Sequence, residues 1–151
     1  MAQFISFFNG DWIPTEECKL DIFDRGLLMG DAVFDVARTY NGQPFKIERH
    51  FARMERSLKY ARLDIGMSMG EFGKIIIEAV DRNQEHIPEV GDLIIWFFAT
   101  RGKGAWAWSS GPPAVGCRIA PVDFARFAPQ FLTGAHGVIT KTKSHAPGTV
   151  E

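Results

Sequence analysis

GLLMGDAVFDVARTYNGQPFKIERHFAR, Gly26 to Arg53, is the stretch around which this chain is organised. It reads as a glycine-bracketed turn, a strand from Ala32 to Tyr40, an Asn41-Gly42 hairpin, a short return strand and a helix that starts near Glu48. Asn-Gly between apolar runs is the strongest short hairpin signal, because both central residues of a type I′ turn need positive φ. Two features go beyond a generic hairpin and helix. A Gly30-Asp31 pair opens the strand, and Arg53 follows His50 by three residues in the first turn of the helix.

Toward the N-terminus the same device recurs: Phe4 to Phe8, Asn9-Gly10, then Asp11 to Pro14. Between the hairpins, Cys18 to Asp24 alternates polar and apolar residues, and Asp24-Arg25-Gly26 reads as a turn. Toward the C-terminus, Phe51, Met54, Leu58 and Ala61 fall at spacings of three and four, one buried stripe of the helix. Arg49, Arg53 and Arg56 lie on a neighbouring face, which by composition alone is a solvated basic face with Glu55 and Lys59 as an i, i+4 pair. Ser68 to Glu71 is a capping box that opens a second helix, with Phe72, Ile75, Ile76, Ala79 and Val80 as its buried stripe and an end before Pro88.

Leu93 to Ala99, LIIWFFA, is a continuous apolar run, which predicts a central strand covered on both faces. Gly102 to Pro113 has glycines, prolines, Trp106 and Trp108 and no period, so it reads as a loop. Val115 to Val122 resumes as a strand. Composition shifts across 121–134, marking a domain boundary, and Gly137 to Lys143 begins another strand.

Composition narrows the function classes. The chain has 151 residues and 46% hydrophobic content, enough for one good core. A net charge of −1 gives no long-range attraction for nucleic acid or an anionic membrane. No apolar run is long enough to span a bilayer, and MAQFISFFNGDW lacks the basic start and cleavage site of a signal peptide, which points to the cytoplasm. Cys18 and Cys117 lie far apart without a metal-ligand motif and read as structural thiols. Thirteen Phe and 13% aromatics imply a large core or a large interface.

The order NG, D-R-G, GDAVFDVARTYNGQPFKIERHFARMERS, a helix, then a strand ending in T-R-G resembles the fold-type IV pyridoxal phosphate enzymes, the class IV aminotransferases. The resemblance implies an α+β fold: a small two-layer N-terminal domain, an antiparallel-rich sheet with two helices, over residues 1–121. A connector at 122–134 and the first strand of a second, cofactor-binding domain at 135–151 would follow. It also implies that Arg53, at the H-x-x-R position, binds the phosphate of pyridoxal 5′-phosphate; a guanidinium fork meets phosphate oxygens through two charge-assisted hydrogen bonds. Phe34, at the end of the G-D-x-V-F motif, would line the substrate pocket, where it offers no hydroxyl. Without the resemblance, Phe34 reads as core.

Arg101 of T-R-G would contact a substrate carboxylate, or else pair with a structural acid such as Asp92. Arg38, sharing a strand face with Val36 and Tyr40, would sit near the pocket. Trp106 and Trp108 would belong to a mobile loop over the site, or pack against a neighbouring subunit. The lysine that anchors the cofactor and shuttles the proton would lie after Glu151, so neither Lys141 nor Lys143 is expected to be it. The implied function is transamination between an amino acid or amine and a 2-oxo acid by a homodimer, with no nucleic-acid or membrane partner. An aminodeoxychorismate lyase and a non-catalytic dimerisation module are the alternatives.

Overall fold

Both Asn-Gly pairs form the hairpins expected of them. In the computed structural model, which describes residues 3–104 and 111–139, β1 (Ile5–Phe8) and β2 (Asp11–Pro14) pair antiparallel. Asn9 and Gly10 between them take φ of 52° and 104°. The second pair, Asn41 at 50° and Gly42 at 72°, joins β3 (Ala32–Tyr40) to the two-residue β4 (Gln43–Pro44). Asp92 holds this turn from inside: its carboxylate accepts from the N–H groups of Asn41 and Gly42, both at 3.0 Å, and from the Thr39 hydroxyl.

The segment before β3 differs from the turn predicted for it. Arg25–Met29 is a one-turn helix, α1, with Asp24 as its N-cap accepting from Gly26 N–H at 2.7 Å. Gly30 closes it in the left-handed conformation, φ 68°. The Asp24 carboxylate, steadied on its other oxygen by the Thr100 hydroxyl at 2.7 Å, caps a helix start in what reads as a loop.

α2 (Ile47–Ala61) and α3 (Met69–Asp81) follow, the latter opened by the full Ser68–Glu71 capping box. Met54 and Leu58 on α2, and Phe72, Ile76, Ala79 and Val80 on α3, are buried. β5 (Gly91–Thr100) and β6 (Ala114–Asp123) complete a six-stranded antiparallel sheet of order β2-β1-β6-β5-β3-β4. The α+β two-layer architecture is therefore as expected: α2 and α3 cover one face, and the core lies between them and the sheet. Asn83, fully buried after α3, ties that helix to the sheet by pairing with both backbone groups of Ile5 at 2.9 and 2.8 Å.

β5 is central, but among the described residues only one of its faces is covered. Leu93, Ile95, Phe97 and Ala99 are buried under the helices, whereas Ile94, Trp96 and Phe98 are only half-buried. The continuous apolar run thus serves two surfaces: the core, and an open apolar sheet face. Register lines Phe8, Gly116, Phe98 and Phe34 in one row across that open face. Gly116 makes the row possible, since a Cβ there would lie 2.6 Å from the Phe98 ring. Beyond β6 the chain forms a short helix, α4 (Ala128–Thr133), inside the expected connector. Residues 137–139 take no regular structure, and the rest of the strand expected over 137–143 lies outside the described residues, as do Trp106, Trp108, Lys141 and Lys143. Among the described residues no helix is long and apolar enough to cross a membrane.

Candidate functional site

Alternation along β3 determines where the predicted residues go. Odd positions Asp35, Ala37 and Thr39 are buried toward the helices, while Phe34, Val36 and Arg38 point to the open face. Phe34 is 69% exposed, so it is a surface aromatic on the apolar shelf and not part of the core. Arg38 shares its face with Val36 and Tyr40 as expected; its guanidinium lies 4.3 Å from the Tyr40 ring centroid and 4.6 Å from that of Phe124. These cation–π contacts border a cavity of about 340 Å³ walled by Phe127 and Phe131.

Arg53 reaches the same strand from the opposite side. Its Nε donates to Asp35 Oδ2 at 2.6 Å and its Nη2 to Asp35 Oδ1 at 2.5 Å, a side-on fork. His50, one helical turn earlier, places Nδ1 2.9 Å from the same Oδ1 and 3.1 Å from Arg53 Nη2. The Asp35 side chain is 1% exposed; that of Arg53 is 57% exposed. Burial works to raise the Asp35 carboxyl, but hydrogen bonds from Arg53, His50 and the Val36 N–H together hold it below the usual carboxylate range. Asp35 in turn raises the Arg53 guanidinium, which stays charged at any accessible pH. Among the described residues Arg53 Nη1 has no hydrogen-bond partner; when His50 Nδ1 carries its proton and donates to Asp35, the second Nη2 N–H is free as well, and the two form an end-on pair of donors for an anion.

β4 pairs with Thr39 and Tyr40, and Phe45 N–H donates to the Arg38 carbonyl at 2.9 Å, so among the described residues the first six residues of β3, 32–37, form a sheet edge. Arg53 flanks that edge on the helix side and Phe34 on the open side. A ligand crossing the edge would meet a cation on the helix side and an aromatic on the open side.

Arg101 is placed differently. Its Nε donates to Asp31 Oδ2 at 2.8 Å, and Nη1 and Nη2 donate to the carbonyls of Arg62 and Ala61 at 2.9 and 2.7 Å. All three nitrogens are engaged by the protein. The acid it meets is Asp31, not Asp92, which is occupied by the Asn41-Gly42 turn. Arg25 Nη2 shares Asp31 Oδ2 at 2.7 Å. Arg101, first among the causes, and Arg25 keep the Asp31 carboxyl below its ordinary range against the effect of burial. Arg101 therefore closes the C-terminal end of α2 and anchors the T-R-G segment to it. A cavity of about 660 Å³ near Lys19, Gly66, Lys103 and Pro112 includes none of Phe34, Arg38, Arg53 or Arg101. The structure thus brings Phe34 and Arg38 onto one face, sets Arg53 across the strand from them, and engages Arg101 elsewhere.

Reading the sequence assigned Asp35 no role, and marked Asp31 and His50 only as parts of the Gly30-Asp31 and H-x-x-R motifs without the partners they meet. A signal for Asp35 was present: an acid at an inward position of a period-2 strand must find a cation, and H-x-x-R places two candidates on one helix face.

Residues 32–135, which include Phe34, Asp35, Arg38, His50, Arg53 and Arg101, match the family described as amino-transferase class IV. The chain belongs to the class IV aminotransferases. A D-alanine aminotransferase from Bacillus licheniformis is 38% identical over 96 residues, covering 64% of this chain and 32% of the relative. Among solved structures, the branched-chain aminotransferase of the thermophilic archaeon Thermoproteus uzoniensis, with norvaline, aligns at TM-score 0.67 and 26% identity over 81% of this chain and 41% of its own. A D-alanine aminotransferase from Staphylococcus haemolyticus is 34% identical over 96 residues, again 64% of this chain and 32% of the relative. This class IV chain spans about a third to two fifths of the length of the relatives it matches.

Proposed function

We propose that this chain is the N-terminal part of a pyridoxal 5′-phosphate-dependent aminotransferase that exchanges an amino group between an amino acid or amine and a 2-oxo acid. The observation that carries the reading is Arg53: a half-exposed guanidinium, pinned side-on by a buried carboxylate at the open edge of β3, in a chain of the class IV family. Its donor set fits a phosphate, which takes two parallel N–H bonds from an end-on fork. When bound, the cofactor supplies the electron sink that amino transfer needs.

The chain's own residues would hold and shape. Arg53 binds the phosphate and so fixes one end of the coenzyme. Phe34 and Val36, projecting from the open face, border the side of the substrate and exclude water from it. Arg38, against the rings of Tyr40 and Phe124, offers a guanidinium near a carboxylate-bearing substituent. Residues 1–121 form the small domain, 122–134 the connector and 135–151 the start of the cofactor-binding domain. The exposed apolar groups of the α1 region, Ile22, Phe23, Leu27, Leu28 and Met29, support a homodimer, and a cytoplasmic location belongs to the same reading.

The test is a titration of the whole protein with pyridoxal 5′-phosphate followed by visible absorbance, for the natural sequence and Arg53→Ala. The variant should bind at least about tenfold more weakly, the loss of one or more hydrogen bonds to a charged group. Equal affinities would remove the assignment. An amino-donor screen run with and without a 2-oxo acid acceptor then separates transamination, which yields a new amino acid only when the acceptor is present, from a lyase, whose turnover needs no acceptor.

A further inference from the structure

We propose that Asp35 is a positioning residue for the phosphate of the coenzyme, acting only through Arg53. The inference rests on the reading of Arg53 given above and deepens it. A carboxylate beside an anion-binding arginine is at first sight unfavourable, because it offsets the charge that the phosphate would use. The geometry explains why it is there. Asp35 takes the Nε and Nη2 edge at 2.6 and 2.5 Å, so the planar guanidinium cannot rotate and its end-on donors keep one direction. The side chain of Arg53 is otherwise mostly exposed, and a long exposed arginine loses considerable rotamer entropy on meeting a ligand. Holding it beforehand removes that cost from binding.

The alternative is that Arg53 merely neutralises a buried acid. The surroundings of Asp35 speak against that. Its Oδ1 already accepts from the Val36 N–H at 2.7 Å and faces His50 Nδ1 at 2.9 Å, so Arg53 is not its sole partner. An apolar residue at this inward position, between Val33 and Ala37, would fill the same space with no charge to satisfy.

The two views predict opposite signs. If Asp35 only offsets charge, Asp35→Asn should tighten phosphate binding. If it positions Arg53, the same change should weaken it. The experiment measures the affinity of the whole protein for pyridoxal 5′-phosphate and for pyridoxal, which lacks the phosphate. Expected for Asp35→Asn is a loss of about tenfold or more for the phosphorylated form with pyridoxal unchanged. In the Asp35→Asn/Arg53→Ala double variant the loss should equal that of Arg53→Ala alone, because the acid has nothing left to orient. Tighter or unchanged binding by Asp35→Asn, additive losses, or an equal loss for pyridoxal each overturn the proposal. Should Asp35→Asn fail to fold, Arg53→Lys carries the test: it keeps the charge but has no fork. It should lose nearly as much affinity as Arg53→Ala, and retained affinity would refute positioning. If Arg53→Ala itself binds normally, the phosphate reading fails first; if it does not and Asp35→Asn does, only this inference fails.

Discussion

Replacing Arg101 by alanine separates a structural role from a substrate-binding one. The substitution removes the bond to Asp31 and the two bonds to the carbonyls of Ala61 and Arg62. Hydrogen bonds to charged groups contribute about 1.5–3 kcal/mol each when counted singly, but three on one side chain are not additive. Two observations lower the sum. Asp31 keeps Arg25 at 2.7 Å, so no carboxylate is orphaned, and the Arg101 side chain is 27% exposed, which lets water reach the carbonyls. The expected loss is therefore about 2–3 kcal/mol, below the ~3–5 kcal/mol of stranding a buried charge. For a domain of this size that lowers Tm by about 5–10 °C. Thermal and urea unfolding of Arg101→Ala and Arg101→Lys would measure it, with the lysine recovering less than half because it can pair with Asp31 alone. A variant of unchanged stability, with KM raised for donors bearing a carboxylate and not for simple amines, would refute the clamp and restore the substrate role.

Acid should destabilise the protein through the same carboxylates. Asp31 and Asp35 are both depressed in the folded state, so around pH 4 the unfolded chain binds more protons and stability rises with pH. Their contribution is complete above about pH 5 and fades as pH falls through the depressed folded values; urea midpoints for Asp31→Asn and Asp35→Asn should show a shallower pH slope, and slopes matching the parent would contradict this. Gly102→Ala should cost about 2 kcal/mol, since φ is +77° and a Cβ would lie 1.9 Å from the Pro112 carbonyl oxygen; an unchanged urea midpoint would show that this contact yields freely.

Local chemistry determined most of the elements, α1 and α4 excepted. Asn-Gly pairs could only be tight turns because of their φ, the Ser68–Glu71 box satisfied its own helix start, and the alternating and helical stripes marked which faces would be buried. The H-x-x-R and T-R-G motifs with their order along the chain pointed to the class IV family. The tertiary structure decided what the charged residues do, because partners far apart in sequence meet only after β3, β5 and α2 are assembled. Arg101 and Asp31 are separated by 70 positions and Asp35 and Arg53 by 18. A charge has no role until its counter-charge is placed, and the pleat of β3 put Phe34 and Asp35, neighbours along the chain, on opposite sides of the sheet.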